Sequence, residues 1–163
     1  MATFETSANR TSEQNVCDYI QKYLDKDLTI SGAMNYRDHL DRGIIIKNTK
    51  ELVAWIEIKV RKRHYSMVGS VSVSAHKIQA GINCSIATGV PFFFIVKFTE
   101  SDHIKVAKIE HNALRSGFVY YGGMKVPRPN APNDREFMLK IGINNFFSVQ
   151  DSDLMNLLNL HHY

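Results

Sequence analysis

Cysteine is nearly absent. Cys17 and Cys84 are the only two in 163 residues, far apart and without CxxC spacing. That excludes a zinc knuckle and gives no disulfide framework, so both are expected as reduced thiols. Proline is scarce too, and three of the four (Pro127, Pro129, Pro132) crowd into one stretch. No apolar run reaches the about 18 residues of a membrane span; the greasiest segment, residues 89–98, is interrupted by Lys97. The start, Met1-Ala2-Thr3-Phe4-Glu5, lacks a basic segment leading into an apolar one, so no secretory signal and no membrane partner are expected, and the location is expected to be cytoplasmic. Internal repeats and low-complexity tracts are missing. So are a glycine-rich phosphate loop, a GxSxG elbow, a persuasive Cys-His pair, and any HxH, HExxH or His-Asn-His layout among the seven histidines. Phosphate-loop enzymes, serine hydrolases and histidine-ligated metal enzymes therefore find no support.

What is present is ordinary in bulk. Hydrophobic residues make up 44% and charged residues 22% of the chain, and the length suits one domain. The net charge of +4 and a pI near 9.1 are compatible with a nucleic-acid partner without proving one. Residues 1–11 are polar and read as a flexible segment, leaving 12–163 as a single domain. Thr11 or Ser12 can cap a helix over about 13–24, with Val16, Tyr19, Ile20, Tyr23 and Leu24 at helical spacing. Residues 43–47 read as a strand, 48–50 as a tight turn and 52–61 as its antiparallel return. Residues 62–73, basic and then rich in Gly and Ser, read as a mobile loop. Ser74 can cap a second helix over about 75–88, ended by Gly89-Val90-Pro91. Residues 92–98 form a run apolar on both faces, as a central strand requires, and 104–109 alternate like a half-exposed strand. The strand–helix–strand unit over 52–98 is long enough to bring its second strand back parallel to its first. The segment 113–150 reads as loop-rich, with residues 130–136 open between a surface turn and a contact with DNA or a second subunit. A last short helix is expected over 151–160, with Leu154, Leu157 and Leu158 on its apolar face.

One triplet stands out. Glu57-Ile58-Lys59 lies inside the apolar run 52–60. Residues i and i+2 of a strand share a face, so acid and lysine stand side by side. Neither charge belongs in a core unless it is paired or binds a metal. Arg61-Lys62-Arg63-His64 follows at once. If the 48–50 turn pairs Lys47 with Glu51, Asp41 falls opposite Glu57, where cross-strand Cβ atoms are about 4.5–5.5 Å apart. A register change of one residue would turn Asp41 to the other face; Asp38 is the reserve. Two carboxylates and the Ile58 carbonyl would suit a hard cation such as Mg²⁺. Lys59 would orient or help deprotonate the attacking water, or neutralise charge on the phosphate. Competing readings stay open: an exposed Glu57–Lys59 ion pair, Asp41 as a turn cap, Glu13 as a carboxylate serving the helix dipole, and residues 61–64 as a solvated charge run.

Asp41, fifteen residues, then Glu57-Ile58-Lys59 on a hydrophobic strand, then helix and strand, resembles the PD-(D/E)XK nuclease superfamily over residues 13–109. The proline of the signature is replaced by Leu40. The resemblance implies an α/β, restriction-endonuclease-like αβββαβ core (13–109) with a mixed central sheet flanked by helices, and a loop-rich extension (110–163). It implies Asp41, Glu57 and Lys59 as catalytic residues, and Asp41, Glu57, Ile58 and Glu13 as metal ligands. Mg²⁺ is the implied cofactor, with Mn²⁺ as substitute. DNA is the implied partner, contacted by Arg61, Lys62, Arg63, His64 and Lys77, with Gln79 as a further polar candidate. Small size without a separate specificity domain suggests structure-selective, recombination or repair cleavage by a phage-type endonuclease acting inside a bacterium or infected host cell, with a homodimer possible in principle. The alternative is a binding protein that keeps the fold without the activity.

Overall fold

A computed structural model describes residues 7–32, 40, 42–123, 135–149 and 156. In chain order the elements are α1 (Ser7–Gln21), β1 (Leu28–Ile30), β2 (Arg42–Ile46), β3 (Leu52–Arg61), β4 (Ser70–Ser74), α2 (Ala75–Thr88), β5 (Phe92–Phe98), β6 (His103–Lys108), α3 (Ala113–Ser116), β7 (Phe118–Gly123), β8 (Arg135–Gly142) and β9 (Phe147–Ser148). Six strands form a mixed sheet in the order β1-β2-β3-β5-β6-β9, and β4-β8-β7 form a second, antiparallel sheet. β3 and β5 pair in parallel through the α2 crossover, as the sequence implies. The series α1, β1, β2, β3, α2, β5 is the expected αβββαβ core, with β4 inserted before α2.

The main sheet is buried on both sides. On one, Val16, Cys17 and Ile20 of α1, with Leu24 just past its end, pack against Ala54, Ile56 and Ile58 of β3 and Phe93 and Ile95 of β5. On the other, Ile78 and Ile82 of α2 meet Phe92, Phe94, Val96 and Phe98 of β5, together with Val71, Val73 and Leu139 of the second sheet. A strand covered twice must be apolar at both parities, which explains the unbroken 92–96 run.

The sequence expectations fail at four places. The first helix includes residues 7–11, read from the sequence as part of a flexible segment, while residues 1–6 lie outside the described residues. Ser12 does not cap it; its hydroxyl donates to the Ala8 carbonyl one turn back, inside the helix. The helix ends at Gln21, whose side chain bonds Leu28, Thr29 and Ile30 and so ties α1 to β1, a three-residue strand the sequence does not announce. The 48–50 turn does not pair Lys47 with Glu51: the Ile46 amide donates to the Glu51 carbonyl, and Lys50 takes a left-handed conformation (φ 62°). The loop read over residues 62–73 ends at residue 69, because Ser70–Ser74 alternate serine and valine and pair with β8 while Val71 and Val73 are buried. The loop-rich reading of 113–150 gives way to the β7–β8 ladder over residues 118–123 and 135–142, while 124–134 lie outside the described residues. Of the expected last helix only Asn156, which is helical, lies within the described residues.

Gly81 sets the distance between α2 and β5. A Cβ there would come within 2.2 Å of the Phe92 ring, which is fully buried. Gly81→Ala should therefore destabilise the protein by about 1–3 kcal/mol through overpacking, opposite in sign to the gain of about 1 kcal/mol that alanine brings to an open helix. Urea denaturation of the two proteins reads the sign directly.

Candidate active site

Glu57 occupies the middle of β3, opposite Phe94 of β5, and its exposure is 0%. Removing a carboxylate from water costs several kcal/mol unless other charges compensate it. Two ammonium groups do so from two elements. Lys59 Nζ stands 3.6 Å from Oε1, an ion pair too long to be a hydrogen bond. Lys77, in the first turn of α2, donates to Oε2 at 3.3 Å. The lysine side chains are 32% and 25% exposed, so both reach from the acid towards solvent. The Glu57–Lys59 pair is thus not an exposed surface contact. Gln79, the other α2 candidate, turns along its helix to Asn83 at 2.8 Å.

The β2–β3 ladder pairs Arg42 with Ile56, Gly43 with Trp55 and Ile44 with Ala54, and then Ile45 with Leu52. Val53 is skipped, a β-bulge that shifts the register by one. The hairpin turn is one residue out from its sequence expectation, and the bulge restores the expected register from Ile44 to Arg42. The described ladder ends there, one pair short of the one that would face Glu57. Asp41 and its reserve Asp38 lie outside the described residues. Glu13 is half-buried on α1, a helix whose buried side chains meet the Ile56–Ile58 face, the face opposite Glu57.

The basic segment divides into different roles. Arg61 turns back and donates to the Ser72 carbonyl at 2.9 Å, joining the main sheet to β4. Burial pulls its pKa below the ordinary value, and the Tyr120 phenol opposes that; a guanidinium stays charged at neutral pH all the same. Lys62 and Arg63 are exposed. The Nδ1 of His64 accepts from the Ser66 amide at 3.3 Å and caps the short 3₁₀ turn Tyr65–Met67. Lys59, Arg61 and Arg63 line one wall of a groove of about 580 Å³ whose opposite wall is the second sheet. Sequence reasoning missed this wall; the Ser-Val-Ser-Val-Ser alternation of 70–74 was the available signal.

Among the described residues no three Asp, Glu, His or Cys side chains cluster. The hard oxygens at hand are the Glu57 carboxylate and the Ile58 carbonyl. Their chemistry fits a hard divalent cation needing few protein ligands, and a buried acid reached by two lysines is a setting where such an ion can meet a phosphate.

The two lysines share one anion, so their effects on stability should not add. Lys59→Met and Lys77→Met are each expected to cost about 1 kcal/mol, with coupling of about 0.5–3 kcal/mol in the double variant, which loses both contacts to a buried charge. A double-mutant cycle by urea denaturation measures this; strict additivity would show that the lysines do not act on a common carboxylate.

No curated protein sequence matches the chain as a relative. Among solved structures, a nuclease from a fusselovirus is similar in fold, with a TM-score of 0.57 and 14% identity, covering 97% of this chain and 94% of that one. The likeness reaches well past the αβββαβ core into the C-terminal strands. Residues 1–149 match the family described as "Phage putative PDDEXK endonuclease", and the chain belongs to that family of nucleases.

Proposed function

We propose that the protein is a Mg²⁺-dependent endonuclease, with Mn²⁺ as a working substitute, hydrolysing phosphodiester bonds in DNA. The observation that carries this reading is the fully buried Glu57 carboxylate held between Lys59 and Lys77, in a chain of the nuclease family. Glu57 and the Ile58 carbonyl would hold the ion together with Asp41, or with Asp38 in its place; Glu13, on the helix that covers the opposite face of the sheet, is left out of the set. Once bound, the ion polarises the phosphate and lowers the pKa of a coordinated water.

The chain's own part is positioning and charge. β5 pairs with β3 through Glu57 and Ile58, so the backbone that carries the acid and the Ile58 carbonyl is held in register. Lys59 reaches from the acid to solvent, where it orients the attacking water and offsets charge building on the phosphoryl oxygens in the transition state. Lys77 is the second cation on the same carboxylate and holds its orientation while remaining available to a phosphate oxygen. Lys62 and Arg63 are exposed beyond the strand end and serve as backbone contacts that set register without reading sequence. The arrangement suits structure-selective cleavage in recombination or repair, acting in the cytoplasm, with a homodimer where paired cuts are needed.

Incubating the protein with plasmid, linear and branched DNA in Mg²⁺, Mn²⁺ or EDTA tests the reading. Cleavage is expected with metal and not with EDTA. Glu57→Ala and Lys59→Ala should each lower the rate at least about 10²-fold. Metal-dependent cutting that survives either substitution unchanged would refute the assignment, and DNA binding without cleavage in any metal would favour a binding protein on a nuclease fold.

A further inference from the structure

The second sheet presents a face that the hydrolytic site does not use. Its strands register so that Ser72, Lys140 and Phe118 lie in one row and Ser74, Met138 and Tyr120 in the next. Side chains two apart on a strand share a face, so Ser70, Ser72 and Ser74, with Tyr120 and Phe118, look outward while Val71, Val73 and Leu139 fill the core. Ser70, Ser72, Ser74 and Tyr120 of this face line the groove that Lys59, Arg61 and Arg63 line from the other side, and Phe118 adjoins Tyr120 just outside it.

Three features of the face belong together. Lys59 and Arg61 sit at i and i+2 of β3, about 6.6 Å apart along the strand, with Arg63 just past its end. This gives a file of cations leading away from the buried acid. Hydroxyls oppose them: Tyr120 donates to Ser72 Oγ at 2.7 Å, leaving the serine edge polar but uncharged. Beyond Tyr120 stands Phe118, 63% exposed, with its ring centroid 5.9 Å from that of Tyr120 and Lys140 Nζ 6.0 Å from its own. An exposed phenylalanine with a cation over its ring, one ring away from a groove lined by cations, has the makings of a stacking platform for an unpaired base. Bases of a duplex are stacked on their neighbours and have no free face to give it. At the end of the groove Glu136 accepts from Ser74 at 2.7 Å, and its carboxylate repels phosphate there. The backbone is thereby steered along the cation wall.

We propose that the β4-β8-β7 sheet binds an unpaired nucleic-acid strand, its phosphates along Lys59, Arg61 and Arg63 and a base on Phe118, so that the substrate is DNA with a single-stranded segment next to the cut. This deepens the nuclease reading and rests on it for the cut, while strand binding stands independently.

Binding in EDTA separates the two. Fluorescence anisotropy with a labelled blunt duplex, the same duplex carrying a single-stranded tail, and the tail alone reports affinity without any cleavage. The tailed duplex should bind at least about tenfold more tightly than the blunt one. Phe118→Ala should remove about tenfold or more of that advantage, within the range of one stacked base, and Phe118→Tyr should restore it. Arg63→Ala should weaken tailed and tail-only binding, and lower the slope of log affinity against log salt from about −2 (three phosphates at about 0.7 each) by about 0.7. Both substituted residues are exposed, and thermal melts confirm the variants' folding. Equal binding of blunt and tailed DNA, or a tail preference that Phe118→Ala leaves intact, would overturn the proposal even in a protein that cuts DNA. A protein that cuts nothing yet shows the Phe118-dependent preference would leave the platform standing and the nuclease reading refuted.

Discussion

The site and the fold share one constraint: a wholly buried acid sits in the middle of a sheet strand. Glu57 is fully buried on β3, with β2 and β5 as its neighbouring strands. Such a charge persists only where the surroundings compensate it. Lys59 comes from the same strand and Lys77 from the first turn of α2. The crossover helix therefore does two jobs, since Ile78 and Ile82 pack the core and Lys77 reaches the acid. Packing and electrostatics are fixed by a single helix position.

The two faces of the sheet divide the labour. α1 seals one with Val16, Cys17 and Ile20 against Ile56 and Ile58. The other carries Trp55, Glu57, Lys59 and Arg61, covered by α2 near its start and opening towards the second sheet. Trp55 Nε1 donates to Thr88 Oγ1 at 3.1 Å, closing the α2 end of that face. Arg61 bonds the Ser72 carbonyl and holds β4 at the other end. Between them the acid, Lys59 and the cation wall of the groove lie along one line of alternating residues on β3, and Lys77 meets the acid from α2.

Some of this was legible in the sequence. The spans of β3, α2 and β5 match their patterns because each is decided locally: a long apolar run, a helical stripe started after Ser74 and stopped at a left-handed Gly89 (φ 73°), and a doubly apolar strand. β1, β4, β7 and β8 were hidden because their identity depends on partners far along the chain. Leu28–Ile30 is three residues long and becomes a strand through Ile44–Ile46. Ser70–Ser74 looks like a linker by composition and becomes a strand against residues 138–142. The β2–β3 register is a different case. The turn chemistry implied one alignment, the real turn took another, and the bulge at Val53 cancelled the difference.

By itself the sequence singled out Glu57 and Lys59, because an acid and a lysine two apart in an apolar run admit few physical roles, and it determined the core order of helix and strand, because periodicity is local. Only the tertiary structure decided that Glu57 is wholly buried, that Lys77 shares it with Lys59, that Arg61 uses a hydrogen bond to hold β4, and that a hydroxyl-bearing sheet faces the cation file. Each of these is a meeting of segments twenty or more residues apart, or of a side chain with a backbone group it reaches only after folding, and no local pattern encodes such distances.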